Sequence, residues 1–311
     1  MDQFTDIYNH IRSGHSGFHE HRRALIAVWG KEAVQFLNGM ITNDVAKLEN
    51  DAQMLAAFPN AQGRLLALVR ILRRGEKFLF ETEEATHEKL YNNLHRFTFA
   101  GDFFAEDLSG EHSYFETFGP KKDVYNPNVG EKFSGAFAFE SAAGAAYFVP
   151  KALADRFRNF LTDENGCEAI PDDLYETLRI ETGIPKYGVD MDESTIVPEL
   201  GREGLISYSK GCYIGQEIIA RIHFRGHVAK ELAGLVASEE PSDGNHSAVI
   251  SAGAELKSPD EKNAGRITSS IISPKLGKSI ALGYIRYDYL AEGTELRAGK
   301  TAVTVKYLPF V

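Results

Sequence analysis

The residues best equipped for chemistry stand together at Lys210-Gly211-Cys212-Tyr213-Ile214-Gly215-Gln216-Glu217. A thiol lies two residues from a cation, between glycines that let backbone N–H groups turn inward. A neighbouring ammonium and a helix N-terminus both favour thiolate over thiol, and thiolate is the nucleophile and the metal ligand. A helix beginning near Gly215 would supply the second influence. The plainer reading of Cys212 is a small buried hydrophobe, the state of most free cysteines. Directly afterwards, Arg221-Ile222-His223-Phe224-Arg225-Gly226-His227-Val228 alternates basic and mostly apolar residues. If extended, Arg221, His223, Arg225 and His227 share one cationic face. The competing reading is a solvated edge strand whose charges discourage aggregation.

A second anomaly is a carboxylate. Leu174, Leu178 and Glu181 fall at i, i+4 and i+7 of a predicted helix over 171–182, which puts Glu181 on the stripe that should face the core. A buried carboxylate needs a partner. Arg179 and Arg202 are the protein candidates, and a ligand edge with two adjacent N–H donors, such as a pterin's, is the other. The helix is well bounded, with Pro171-Asp172-Asp173 at its start and Gly183 and Pro185 just past its end.

The elements that must hold these residues are mixed. Strand, turn and helix are predicted over 23–41, and a hairpin joins 54–58 to 64–72 through Pro59-Asn60-Ala61-Gln62-Gly63. A strand over 78–81 and an amphipathic helix over 83–96 come next. Further on, a strand over 145–149 leads into a helix over 150–161. From Leu232 the texture changes to short β-prone runs, best at 232–237, 265–272, 280–286 and 302–308, which suggests a small barrel or sandwich. The expected division is an α+β region of two subdomains over 1–230 and a β-barrel domain over 231–311.

Composition sets outer limits. The 311 residues carry 34 Lys and Arg against 44 Asp and Glu, a net charge of -10, so diffuse attraction to nucleic acid or an anionic membrane is not expected and any anion site must be local. Two cysteines, Cys167 and Cys212, are too few for a Cys-rich zinc module and lack the paired spacing of a disulfide scaffold. With no secretory signal and no membrane-spanning run in view, a cytoplasmic home is expected. The histidines do not combine metal-ligand spacing with acidic partners, so no permanently bound metal is expected.

Taken together, these segments resemble the YgfZ family, folate-binding proteins related to the glycine-cleavage T-protein, an aminomethyltransferase. The segment from Lys210 to Glu217 is similar to that family's K-G-C-Y-x-G-Q-E signature. Phe36-Leu37-Asn38-Gly39-Met40-Ile41-Thr42-Asn43-Asp44-Val45 resembles an F-L-x-x-x-x-T-N-D-V element, and Asn60-Ala61-Gln62-Gly63-Arg64 an N-x-x-G-R turn. Arg179 to Pro185 with Pro198-Glu199, and Ile280 to Tyr284, resemble further family elements. The resemblance implies an aminomethyltransferase-like α+β fold around a folate-sized cavity, with a small C-terminal β-barrel. It implies that Glu181 holds the pterin and that Cys212 and Lys210 carry the chemistry. Arg64, Tyr213, Gln216, Glu217, Arg221 and Arg225 are the further residues expected at the ligand, the last two suiting a polyglutamylated tail.

One departure separates the two branches. The transferase carries an Asp-Asp pair in the strand after its glycine turn, and here Arg64-Leu65-Leu66-Ala67-Leu68-Val69 offers Ala67 and Leu68, neither able to transfer a proton. The resemblance therefore favours a tetrahydrofolate-binding protein that supports iron-sulfur cluster assembly or repair, and through it enzymes that thiolate tRNA. One dominant cysteine cannot hold a cluster alone, so a transient cluster shared with an assembly or client protein is expected. The alternative is a folate-dependent one-carbon transferase or demethylase using another acid, Asp102 or Asp44, although Asp44 in its turn also suits a cap. Direct RNA binding through 221–230 is weaker, since Phe224 is the sole aromatic in the stripe.

Overall fold

The computed structural model describes residues 3–99, 101–120, 125–239 and 249–311. By its internal contacts the chain divides into two units. The first takes in the chain up to Ala61, Leu66–Tyr175 and Gly204–Ile214, and the second Gln62–Leu65, Glu176–Glu203 and Gly215–Val311.

Two five-stranded sheets build the first unit. One has the order β3-β4-β5-β2-β6, from β2 (Arg23–Trp29), β3 (Gln53–Pro59), β4 (Leu65–Arg74), β5 (Lys77–Glu83) and β6 (Phe104–Asp107). The other has the order β10-β1-β7-β9-β8, from β1 (Gly17–His21), β7 (His112–Phe118), β8 (Phe137–Glu140), β9 (Gly144–Pro150) and β10 (Glu168–Ala169). The first sheet has an apolar side on each face, because successive strand residues point to opposite faces. Ile26, Val28, Ala67, Val69 and Ile71 meet α2 (Ala33–Met40) and α3 (His87–His95) through Leu37, Met40, Leu90 and Leu94. On the other face, Leu25, Ala27, Leu72 and Leu79 meet Tyr114, Phe139 and Phe148 of the second sheet. That second sheet is covered in turn by α4 (Ala154–Asn159), whose Phe157 packs with Phe115 and Tyr147. The helix α1 (Gln3–Arg12), β1 and β7 have no counterpart among the sequence expectations. The polar interruptions His19, Glu20, His21 and Glu116 mask the apolar alternation of the two strands.

Between the two sheets lies a buried charge. Glu81 on β5 stands opposite Arg70 on β4 and beside Arg23 on β2. Arg70 Nε donates to Glu81 at 2.7 Å, and its other nitrogens donate to the Glu140 carbonyl and the Tyr114 hydroxyl of the second sheet, at 2.9 and 3.1 Å. Burial by itself would raise the Glu81 carboxyl. Arg23 and Arg70 outweigh that and hold it down at about 2. The arginine that interrupts the apolar run over 65–72 is thus a between-sheet ligand for a carboxylate.

The second unit carries the closed barrel β11-β14-β13-β12-β15-β16, from β11 (Lys230–Ala237), β12 (Glu255–Lys257), β13 (Asn263–Ser273), β14 (Lys278–Arg286), β15 (Glu295–Ala298) and β16 (Thr301–Lys306). Leu235, Leu256, Ile267, Ile285, Val303 and Val305 fill its interior. Closure removes the exposed edges that short strands would otherwise present. The fold is therefore the α+β region with a C-terminal β-barrel expected from the sequence. The division between units falls inside α5 (Asp172–Glu181).

Because the folded carboxyl of Glu81 titrates well below its ordinary 4.5, its contribution is complete above about pH 4.5 and is lost as pH falls towards 2. Denaturant unfolding across that window should show on the order of 3 kcal/mol of lost stability from this group. Glu81→Gln should cost roughly 3 to 5 kcal/mol at neutral pH, since it leaves two guanidiniums buried without their anion. An unchanged unfolding midpoint in the variant would refute this role.

Candidate functional site

Residues 204–214 form a loop in the first unit, tied to the segment that ends α2 and leads to β3. Buried Thr42 does most of the tying. Its hydroxyl donates to the Leu205 carbonyl at 2.7 Å and accepts from the Ala57 N–H, while its own carbonyl accepts from the Ser207 N–H at 2.9 Å. Asn43 Nδ2 donates to the carbonyls of Gly204 and Leu55, at 2.7 and 2.8 Å. At the far end of the loop, the Ile214 N–H donates to the Gly39 carbonyl. Asp44 is a cap: its carboxylate accepts from the Ala46 N–H and from Asn38 Nδ2, while Asn38 Oδ1 accepts from the Val45 N–H. The T-N-D element near the start of the chain is therefore the anchor of a loop more than 160 residues later.

Lys210 is the central peg of that anchor. It is 9% exposed, and its ammonium donates to the carbonyls of Ile41 and Asn43 at 2.8 and 2.7 Å. Ile41 lies just past the last turn of α2, where unpaired carbonyls and the negative end of the dipole welcome a cation. The ammonium also lies 5.0 Å from the centre of the buried Tyr213 ring. Burial lowers Lys210 to about 8, against the opposing pull of Asp44, and burial pushes the Tyr213 hydroxyl up to about 12. The ammonium read from spacing as an influence on the thiol thus has its hydrogen bonds directed at the backbone of 41–43. Cys212, between the two inward side chains of Lys210 and Tyr213, is exposed. Cys167 is the opposite case, buried, its thiol pushed up to about 11 by that burial.

The two glycines of this segment differ. Gly215 has φ +80° and caps α6 (Gln216–Arg225), a backbone conformation that favours glycine. Gly211 stays out of the left-handed region, and a Cβ there would meet nothing within 4 Å. The helix expected near Gly215 is present, and it corrects the extended reading of the basic residues beyond it. Arg221, His223 and Arg225 lie on α6, not on an extended strand, so they do not share one face. At 100° per residue, Arg221 and Arg225 are neighbours one turn apart, while His223 points elsewhere. Both the cationic strip and its edge-strand alternative fail for the same reason: the alternation of basic and apolar residues over 221–228 is not a strand period. Gln216 is half-buried at the start of the helix, and exposed Glu217 accepts from Arg221 at 2.7 Å.

Glu181 belongs to the second unit. It is fully buried, as its place on the apolar stripe predicts, and its carboxylate accepts a short hydrogen bond from the Ser273 hydroxyl of β13. Its backbone carbonyl accepts from the Phe310 N–H. Arg179, one of the two arginines weighed as its partner, is bound to Asp190 at 2.9 Å and to Glu176 at 2.8 Å, and Arg202 donates to the Gly183 carbonyl. Asp190 also accepts from Thr268 and Ser269. No sequence signal joins Ser273 to Glu181 or Ser269 to Asp190, because each pairing runs between α5 or the segment after it and distant β13, whereas Arg179 meets Asp190 only eleven residues on. Gly183, with φ +73°, closes the helix where a Cβ would strike Leu308 at 2.8 Å. Arg64 pairs as an isolated bridge with Ile196, near Glu199, whose carboxyl burial raises against the pull of the Ile196 N–H, Lys230 and Arg64. Ala67 is buried within β4 among apolar side chains, and Leu68 offers only a carbonyl, which accepts from Thr82. Asp102 lies 3.9 Å from Lys31, and its backbone carbonyl accepts from the Glu32 N–H.

This architecture is a known one. The chain superposes on the glycine cleavage system aminomethyltransferase T of Bartonella henselae with a TM-score of 0.84 at 20% identity, covering 99% of this chain and 89% of that one. Residues 230–311 match the glycine cleavage T-protein C-terminal barrel domain. The fold is thus that of the aminomethyltransferases. Among curated proteins, the iron-sulfur cluster assembly factor IBA57 homolog of Pyricularia oryzae, named as mitochondrial, is 27% identical over 259 residues, 79% of this chain. The chain spans 64% of that relative's length. No helix among the described residues is long and apolar enough to cross a membrane. Among the same residues, no group of three or more His, Cys, Asp or Glu is placed to hold a metal ion.

This geometry has two measurable outcomes. In the native protein, iodoacetamide at pH 8 should alkylate Cys212 and leave Cys167 untouched until denaturant is added, read by peptide mass spectrometry. Equal labelling of both would contradict the contrast between buried Cys167 and exposed Cys212. Lys210→Met should lower stability by about 1 to 3 kcal/mol, the cost of two buried carbonyls left without donors. An unchanged melting curve would show that the peg is dispensable.

Proposed function

We propose that this chain is a YgfZ-type protein on an aminomethyltransferase scaffold, one that serves iron-sulfur cluster assembly and not aminomethyl transfer. The observation that carries the reading is Cys212: an exposed thiol on a loop whose flanking residues, Lys210 and Tyr213, are buried beneath it. A fixed backbone with a free thiol suits a ligand lent to a partner, since one cysteine leaves most of a cluster's coordination to be supplied from elsewhere. The relative named as an iron-sulfur cluster assembly factor supports the same assignment. Against the transferase alternative stand buried Ala67 and half-buried Leu68, neither able to transfer a proton, and Asp44, whose carboxylate is occupied as a cap.

The cluster is cargo in this proposal, held between Cys212 and an assembly or client protein. Tetrahydrofolate is the small ligand that the scaffold and Glu181 suggest, with the carboxylate accepting from the pterin's adjacent N–H donors. Arg64, Tyr213, Gln216 and Glu217 are proposed as further ligand contacts. Enzymes that thiolate tRNA are proposed as clients, and a reducing compartment, the cytoplasm, as the setting.

Cys212→Ser should abolish support for cluster-dependent enzymes, measured as methylthiolated tRNA in cells, while circular dichroism and melting temperature stay as in the wild type. Normal tRNA thiolation in that variant would remove the thiol from the mechanism. Calorimetric titration of tetrahydrofolate under reducing conditions should show binding that weakens at least about tenfold in Glu181→Gln, a change that keeps an acceptor for Ser273 but removes the paired acceptor oxygens. Undiminished binding in Glu181→Gln would place the folate elsewhere.

A further inference from the structure

The helix α6 presents a surface that the proposed thiol chemistry does not use. Arg221, Phe224 and Arg225 occupy positions i, i+3 and i+4, so they form one patch on the last two turns. All three are exposed, and Phe224 is 69% exposed. Arg221 is held by Glu217 at 2.7 Å, which fixes its guanidinium along the helix. Arg225 makes no ion pair among the described residues. The His223 ring packs edge-on against Phe224 with centroids 4.7 Å apart, which steadies the exposed phenyl group.

Local stability explains only part of this arrangement. Basic residues in the last turn complement the negative end of the helix dipole, which accounts for Arg225 and His223. It does not account for a phenylalanine that is largely exposed on the same helix face as two arginines. Arginine and large aromatic residues are enriched where protein interfaces concentrate their binding energy, and an Arg–Phe–Arg face has that composition. The chain as a whole carries a net charge of -10, so this patch runs against the average charge of its own surface. A polyanion such as RNA would be repelled by that average and has one ring to stack on, whereas a polyglutamate tail has no use for the phenyl group.

We propose that the Arg221–Phe224–Arg225 face of α6 docks a protein partner, one that presents carboxylates around an apolar recess able to take the phenyl ring. The partner is the iron-sulfur protein that receives or lends the cluster, an assignment that rests on the function proposed above. Charge complementarity sets the register through the two arginines, and burial of Phe224 supplies the central contact.

The test is photo-crosslinking in cells from a benzophenone amino acid placed at position 224 of the full chain, with crosslinked peptides sequenced by mass spectrometry. Adducts on carboxylate-rich segments of iron-sulfur proteins are expected. They should fall about tenfold when Arg221→Glu and Arg225→Glu are added, as removal of a charge-paired anchor would give. They should persist in Cys212→Ser, because docking does not need the thiol. Acidic partners that are not iron-sulfur proteins would leave the docking face standing and overturn the cluster assignment. Adducts on RNA, adducts indifferent to the charge reversals, or no protein adduct at all would overturn the docking face itself.

Discussion

Thr42 and its two neighbours hold the constraint on which the rest of the site depends. The Thr42 side chain and backbone together engage Leu205, Ser207 and Ala57, and Asn43 adds Gly204 and Leu55. A loop of eleven residues would otherwise be one of the mobile parts of the surface. Here its backbone polar groups find partners in a segment far away in sequence, so the loop is closed at the expense of chain entropy and kept by hydrogen bonds of which those from Thr42 to Leu205 and from Lys210 to Ile41 are buried. Lys210 completes the arrangement from the loop side, reaching back to the carbonyls on either side of Thr42. The consequence for chemistry is positional. With Lys210 and Tyr213 drawn inward, the cysteine between them is turned out.

A second constraint operates one layer away. Arg23, Arg70 and Glu81 put two cations and an anion between the sheets of the first unit, where an apolar trio would give the same burial without desolvating charge. Arg70 also reaches the Glu140 carbonyl and the Tyr114 hydroxyl, so the group is bonded to both sheets. Such a cluster tolerates only the sheet pairing that satisfies all its donors. That gives register and orientation to two otherwise smooth apolar faces, and the strand that carries Thr42's partner Ala57 belongs to one of those sheets.

How much of this was legible in the sequence depends on the range of the interaction involved. Residues that signal through their immediate neighbours were readable. The strand over 23–29, the helix ending at Gly183 and the barrel strands from Leu232 obey local alternation and capping, and Glu181 announced its burial by its place in a helical stripe. The stripe at 221–228 misled because its polar–apolar alternation is compatible with a strand while α6 is set by the left-handed Gly215 before it. Ser273 as the partner of Glu181, Ser269 as the partner of Asp190, and the carbonyls that hold Lys210 could not be read at all. A hydrogen bond between residues about 80 to 170 positions apart leaves no period in the sequence.

Lys210 illustrates what that difference does to a chemical argument. Sequence adjacency makes the ammonium an electrostatic partner for the thiol two residues away, because spacing is the only distance a sequence offers. In the fold, the same ammonium has two carbonyl acceptors and an aromatic face. A buried ammonium must satisfy its donors locally or lose its proton, and these groups answer that demand within the anchor. The role of Lys210 is therefore reached through geometry: it determines where Cys212 stands. In the function proposed above, control over the position of one outward thiol is what this anchor contributes.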